Sequence, residues 1–434
     1  MSGLRFGRPA VVEGVVRAGL VLLLVTWAAA CGDDDSDTGS KDADAPAGVS
    51  SDMLGEPNPA SGTPVKVGMI TDGGDCAECS ATAGDEQPAT EATVEWVNEY
   101  LHGLGGHPID LAVCVDDLDP AKASDCANQM IADDVVAVVI GSSGVIESSW
   151  GVLHDAGVPV VNFSATQPAL LEDDASTFIL QDPDAITVNF PLEVAQDTGA
   201  EVVSIVVVDL PIATDAYGDD TENLYEEAGV ELDVVPVPLG VPDMTPQMQE
   251  VVSNNPDGLV MIVGHDQFCI PAINGLTSVG FSGTIATISN CVTDAMRDAI
   301  PGDVLDGMVL AAPVPIGDDE DATMQQYHAV LDEYGASDVD RTGATPVQMF
   351  ASFAALGLGT QALEGDVTPE SLIAALRAMP SEVLPAGGGR HFRCDGTAAP
   401  HGPAICTSSL LSATLDADGT PSSYEVLNDV QAAS

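Results

Sequence analysis

The residues of this 434-residue chain whose types and spacing could do chemistry are nine cysteines and a few Ser/Thr-rich loops. Cys76 and Cys79 form a Cys-x-x-Cys pair between an apolar run and a helical pattern, which suits thiol–disulfide exchange as well as a small structural bridge. About ten residues follow Cys79 before helical periodicity starts, too far for a helix dipole to lower a thiol pKa, so the bridge Cys76–Cys79 is favoured. Proximity then pairs Cys114 with Cys126 between an apolar run and the helix-like segment after it, Cys269 with Cys291, and Cys394 with Cys406 around a Gly/Pro-rich loop. A lone Cys-x-x-Cys without a second Cys or His cluster does not make a zinc site, and no metal is expected. Gly141-Ser142-Ser143-Gly144 and Phe163-Ser164-Ala165-Thr166-Gln167-Pro168 bring hydroxyls and bare amides to helix starts. Such loops suit a carboxylate, although Ser and Thr are also ordinary helix caps. There is no Gly-x-Ser-x-Gly elbow, no phosphate loop with Lys and no His-Glu-x-x-His, and the seven His are scattered, so neither catalytic residues nor a cofactor are expected.

Loops of this kind need strands that end just before them. From residue 65 onward, short β-rich apolar runs alternate with longer amphipathic segments: strands at 65–70, 109–115, 135–140 and 158–162, with helices at 90–101, 121–132 and 147–156 between them. A second series follows, with strands at 202–208, 230–237, 258–263 and 284–288 and helices at 217–228, 245–254 and 267–279. The alternation predicts parallel sheets covered by helices. About 370 residues in two series exceed one comfortable core, so two lobes are predicted, with a ligand cleft between them.

The chain opens with Arg5, Arg8 and Arg17, then an apolar run at 18–30 ending in Ala28-Ala29-Ala30-Cys31. The run is too short to span a bilayer and looks like a bacterial lipoprotein signal, in which the cysteine is acylated and becomes the first mature residue. Cys31 is then a lipid anchor, residues 1–30 are removed, and 31–64 form an acidic low-complexity tether on the outer face of the cell membrane. Removing 1–30 takes three Arg and one Glu, leaving 67 acidic and 8 basic residues and a formal charge of −59. So few cations exclude nucleic acid as a partner. The charge confers solubility or suits a salty medium, and it identifies no ligand.

The order of motifs resembles a known family, the leucine/isoleucine/valine-binding-like substrate-binding proteins of ABC transporters, with the type 1 periplasmic binding fold. The likeness rests on Val65-Lys66-Val67-Gly68-Met69-Ile70, Asp116-Asp117-Leu118-Asp119-Pro120, Val138-Val139-Ile140-Gly141-Ser142, Gly157-Val158-Pro159-Val160-Val161 with Ser164-Ala165-Thr166-Gln167-Pro168, Ala216-Tyr217-Gly218, and Val279-Gly280-Phe281-Ser282-Gly283. It implies an α/β protein of two lobes, each a parallel sheet flanked by helices, with lobe 1 at 65–180 and 313–384 and lobe 2 at 181–312 and 385–434. Crossings are expected at 180–184, 309–315 and 385–389, with the Cys394–Cys406 loop on lobe 2. It also implies a ligand held by Ser142 or Ser143, Ser164, Ala165 and Thr166, joined by Tyr217 from the second lobe.

Amino-acid binders of that family place an acid near the position of Ser289-Asn290-Cys291-Val292, where this chain has none. Asp266 and Asp72 are the substitutes the sequence offers, against the plainer reading of each as solvated surface. The implied function is capture of a small polar ligand by a monomer, an amino acid of branched-chain type or a related amide or small carboxylate, for delivery to permease subunits. A ligand-sensing module without transport is the alternative, set second because no transmembrane span follows the domain, and thiol exchange comes third.

Overall fold

The computed structural model describes residues 51–74 and 82–429; Cys31, Cys76 and Cys79 lie outside them. Five strands build the first sheet: β1 (Val65–Thr71), β2 (Ile109–Val115), β3 (Ala137–Ile140), β4 (Val160–Ser164) and β5 (Thr177–Gln181). They run parallel in the order β2-β1-β3-β4-β5. All four residues of β3 are buried, as a central strand covered on both faces requires. The helix Glu86–Tyr100 packs on one face with Ala322–Glu333 and Ala344–Gly359, where Trp96 stacks on Phe350 at 5.6 Å. Burying a side chain of that size contributes roughly 2 to 3 kcal/mol. Pro120–Ala132 and Ile146–Asp155 cover the other face.

The second sheet comprises β6 (Val202–Val208), β7 (Glu231–Val237), β8 (Leu259–Val263), β9 (Thr284–Ile288) and β10 (Val309–Ala312). After a two-stranded ribbon of β11 (Glu382–Val383) and β12 (His391–Phe392), β13 (Leu410–Thr414) and β14 (Glu425–Leu427) return to it. Its order is β14-β13-β10-β9-β8-β6-β7, parallel from β7 to β10 and antiparallel at β13 and β14.

Three bridges match the predicted pairs Cys114–Cys126, Cys269–Cys291 and Cys394–Cys406. Closing a loop of 12 residues, as Cys114–Cys126 does, contributes about 3 kcal/mol through the unfolded chain.

The structure departs from the sequence expectation in the segment 385–406, which the motif order places in the second lobe. Ala386, Phe392, Cys394 and Cys406 share the core of the first sheet's helices. Ile405 bridges Ile179 of β5 in parallel, with Ile179 N donating to Ala404 O at 2.8 Å and Cys406 N to Ile179 O at 2.7 Å. The glycine run at 387–389 therefore makes no crossing. Gly388 and Gly389 hold positive φ (62° and 84°) in the tight turn that joins β11 to β12. The chain crosses instead at Thr407-Ser408-Ser409, directly before β13. Pro and Gly mark a turn as readily as a crossing, which is why composition misplaces it.

The first crossing continues from Gln181 into a π-helical turn, Ala185–Asn189. Tyr217 Oη donates to Thr187 O at 3.2 Å and Tyr225 Oη to Val188 O at 2.8 Å. Among the described residues no helix is long and apolar enough to cross a membrane.

Candidate functional site

β1 leaves for β2 on one side and lies against β3 on the other, so the strand order reverses between β1 and β3. At such a switch point the loops after the two strands diverge and leave a crevice at their carboxyl ends. Here the loop after β1 begins with Asp72, the loop after β3 with Gly141, and Asp72 N donates to Ser142 O at 2.8 Å. The helix Glu86–Tyr100 starts at the same place. A side chain on Gly141 would put its Cβ 2.4 Å from Glu86 Oε2, so only glycine admits the carboxylate there.

The cavity at this crevice has a volume of about 230 Å³. Ser142, Ser143, Ser164, Ala165 and Thr166 all line it, so the structure brings these five predicted residues together. Ser164 is the last residue of β4 and, with Thr166, is exposed at the rim, while Ala165 is buried. Thr166 N donates to Gln167 Oε1 at 3.2 Å.

Two predicted residues lie elsewhere. Tyr217 is 6% exposed within the core of the second sheet, its hydroxyl spent on Thr187 O. Asp266 is half-buried at the start of its own helix, where Oδ1 accepts from Gln267 N at 2.7 Å and Oδ2 from Thr293 Oγ1 at 3.1 Å. An acid in the first turn of a helix suits the positive end of its dipole, and the bonds to Gln267 and Thr293 account for its position. Among the described residues, nothing from the second sheet lines the cavity.

Glu86, Asn162, Thr345 and Gln348 also line it, and the sequence reading includes none of them. Glu86 is 1% exposed; Thr71 Oγ1 donates to its Oε2 at 2.5 Å and Ser142 N to its Oε1 at 2.9 Å. Burial pushes its pKa from 4.5 up to about 7, with a smaller push from the charge of Asp72, against the hydrogen bonds it accepts. Its signal in the sequence is phase. Glu86 falls in helical register with Ala89, Thr90, Thr93 and Val97, an acid on a face that is otherwise buried.

Asp72 and Asp116 stand behind the serines. Ser142 Oγ donates to Asp72 Oδ2 at 2.8 Å and Ser143 Oγ to Asp116 Oδ2 at 2.6 Å. Asp116 Oδ1 accepts from Leu118 N at 2.8 Å and braces a turn in which Asp117 and Leu118 both adopt positive φ (51° and 57°). Burial raises the Asp116 pKa above its ordinary value, and Asp72 and Asp117 add to it. Asn162, 4% exposed, donates from Nδ2 to Ile140 O at 2.6 Å, while its Oδ1 has no partner among the described residues.

Among the described residues one cluster could offer metal ligands: Asp182, Asp184 and His401 bring ligand atoms within 4.8 Å of one another at the first crossing. His401 Nε2 already pairs with Asp182 at 3.1 Å and Asp184 at 3.5 Å, and the bond to Asp182 raises its pKa, so the three groups are engaged with one another.

A family model described as "Periplasmic binding protein" matches residues 64–404. No curated protein matches the sequence. Among solved structures, an ABC transporter substrate-binding protein from Sphaerobacter thermophilus is similar at 18% identity and TM-score 0.68, covering 84% of this chain and 98% of its own. An ABC transporter solute binding protein from R. palustris in complex with 4-hydroxybenzoate is similar at 21% identity and TM-score 0.65, covering 84% and 97%. The substrate binding protein of a branched-chain amino acid transporter from Streptococcus pneumoniae, in complex with isoleucine, is similar at 16% identity and TM-score 0.62, covering 84% and 99%. At these identities the likeness to solved structures shows the fold alone.

Proposed function

Because the chain belongs to the periplasmic binding protein family, whose members are substrate-binding proteins of ABC transporters and not enzymes, we propose that it captures one small polar solute outside the cytoplasm and hands it to a permease. The reading includes attachment through a lipid on Cys31 and action as a monomer. The solute is an amino acid of branched-chain type, or a related amide or small carboxylate. The observation that carries this is the convergence of the loops after β3 and β4 on one cavity at the switch point of the first sheet. The solved relatives bound to isoleucine and to 4-hydroxybenzoate supply two ligands of suitable size.

In this reading, a solute seated on Ser164, Ala165 and Thr166 gains further contacts only when the second lobe closes over it, so binding favours the closed form by its differential affinity. The permease reads that closure. The test is recovery of what copurifies with protein expressed in its own host, by mass spectrometry, followed by small-angle scattering of stripped protein with and without that compound. Binding with compaction and no chemical change is expected. A compound returned chemically altered, or bound without compaction, would overturn the reading.

A further inference from the structure

Three polar hydrogen atoms at the inner wall of the cavity are already committed. The Ser142 hydroxyl proton goes to Asp72, the Ser143 hydroxyl proton to Asp116, and the Ser142 amide proton to Glu86. Asn162 gives its amide group to Ile140 O and keeps only a carbonyl oxygen, Oδ1, in a side chain 4% exposed that lines the same cavity. A hydroxyl that has donated its proton to a carboxylate turns only lone pairs to a third group. The wall therefore offers acceptors: Ser142 Oγ, Ser143 Oγ, Asn162 Oδ1 and the Glu86 carboxylate. Among the described residues no Lys, Arg or His lines it.

We propose that this wall holds a cationic group of the ligand, a protonated amine or a guanidinium, whose several N–H donors meet Ser142, Ser143, Asn162 and Glu86. The inference rests on the reading of the cavity as the solute site and narrows it. It reverses the expectation that the Ser142-Ser143 loop takes a carboxylate, and it supplies from the first lobe the acid that the second lobe lacks at 289–292. A ligand carboxylate, where there is one, is left to Ser164 and Thr166 at the rim. At this wall a carboxylate without a cation is rejected, because the lone pairs of Ser142, Ser143, Asn162 and Glu86 would face its own.

Affinity for the cation should follow the ionisation of Glu86. The groups facing it are Thr71 and Asp72 from β1 and its loop, Ser142 from the loop after β3, and Thr345 from the helix Ala344–Gly359; Asp72 is the charged one. With a carboxyl that titrates at about 7 in the free protein, its ionised fraction falls about tenfold from pH 8 to pH 6, while an alkylamine stays protonated throughout.

The experiment is calorimetry on the full exported protein with its disulfides intact, using three probes of one carbon skeleton: 3-methylbutan-1-amine, L-leucine and 4-methylpentanoate. The two amine-bearing probes are expected to bind at least tenfold more tightly than 4-methylpentanoate, and the amine about tenfold more weakly at pH 6 than at pH 8. Glu86→Gln should weaken amine binding tenfold or more and flatten that pH profile. The wild-type profile decides even where the variant folds poorly. Equal binding of amine and carboxylate probes, or a flat wild-type profile, overturns the assignment. If none of the three binds, the solute recovered from the host decides. An amine or guanidinium compound upholds the assignment; a neutral or anionic one overturns it but leaves solute capture standing; no solute at all removes both.

Discussion

Arg390 donates through Nη1 to Ser409 O at 2.8 Å, and by doing so reaches from the β11–β12 ribbon into the third crossing between the two sheets. The same guanidinium donates to Gln181 Oε1 in the first crossing and to Pro313 O in the second. Gln181 in turn donates from Nε2 to Ser409 O at 3.3 Å. A single side chain, 0% exposed, thus holds all three connections side by side, and its burial pulls the guanidinium pKa below the usual range.

Arg390→Met should lower the unfolding free energy by about 3 kcal/mol, because it takes the guanidinium from the buried acceptors Gln181 Oε1 and Pro313 O and leaves Ser409 O only the longer bond from Gln181. Arg390→Lys should recover part of the loss, since an ammonium cannot span three acceptors as a planar fork does. Chemical denaturation of the oxidised protein measures both, and equal stability of the methionine variant would contradict the role.

A second expectation concerns pH and the free protein. Glu86 binds its proton more tightly folded than unfolded, so its contribution to stability is complete below about 4.5 and is lost as pH rises through about 7. The shift corresponds to about 3 kcal/mol between those limits. Stripped protein should therefore melt at a lower temperature at pH 8 than at pH 5, and Glu86→Gln should remove this component of the slope. A variant whose slope equals the wild type's would show that Glu86 is not its source.

Thr166 and Tyr217 should separate binding from scaffold. Thr166→Ala removes a hydroxyl at the cavity rim and should weaken the recovered solute by roughly 1.5 kcal/mol, about tenfold, without altering stability. Tyr217→Phe removes the bond to Thr187 O and should cost about 1 kcal/mol of stability while leaving affinity within about twofold. Titration and melting of the two variants would show a swap of these effects if Tyr217, not Thr166, touches the solute.

Ser142, Ser143, Ser164 and Thr166 are legible in the sequence because small polar residues after apolar runs stand out locally, and local pattern also places the strands and three disulfides. Glu86 is not, because its meaning arises only when β1 and β3 become neighbours and bury it. Arg390 is silent for the same reason. Its partners at 181, 313 and 409 are separated widely along the chain and adjacent only in the fold. The direction of the serine hydrogen bonds is illegible too, since a hydroxyl donates or accepts according to the neighbours that the fold supplies.

On the reading of Cys31 as the lipid anchor, Cys31→Ala should release the protein into the soluble exported fraction, because so acidic a chain is repelled by an anionic lipid surface. Fractionation of cells carrying the variant is the check, and membrane association equal to that of the wild type would remove the lipid anchor from the reading.

The pairing of Ile405 with Ile179 has a consequence for solubility in the crowded space outside a cell. β5 ends its sheet, and a bare terminal strand presents a row of unpaired amides and carbonyls on which another chain can add. The loop closed by Cys394 and Cys406 lies along that row and occupies Ile179 on both its amide and its carbonyl. Oxidation of this pair therefore guards against self-templating assembly. Its reduction would show first as concentration-dependent aggregation, before any change in what the cavity holds.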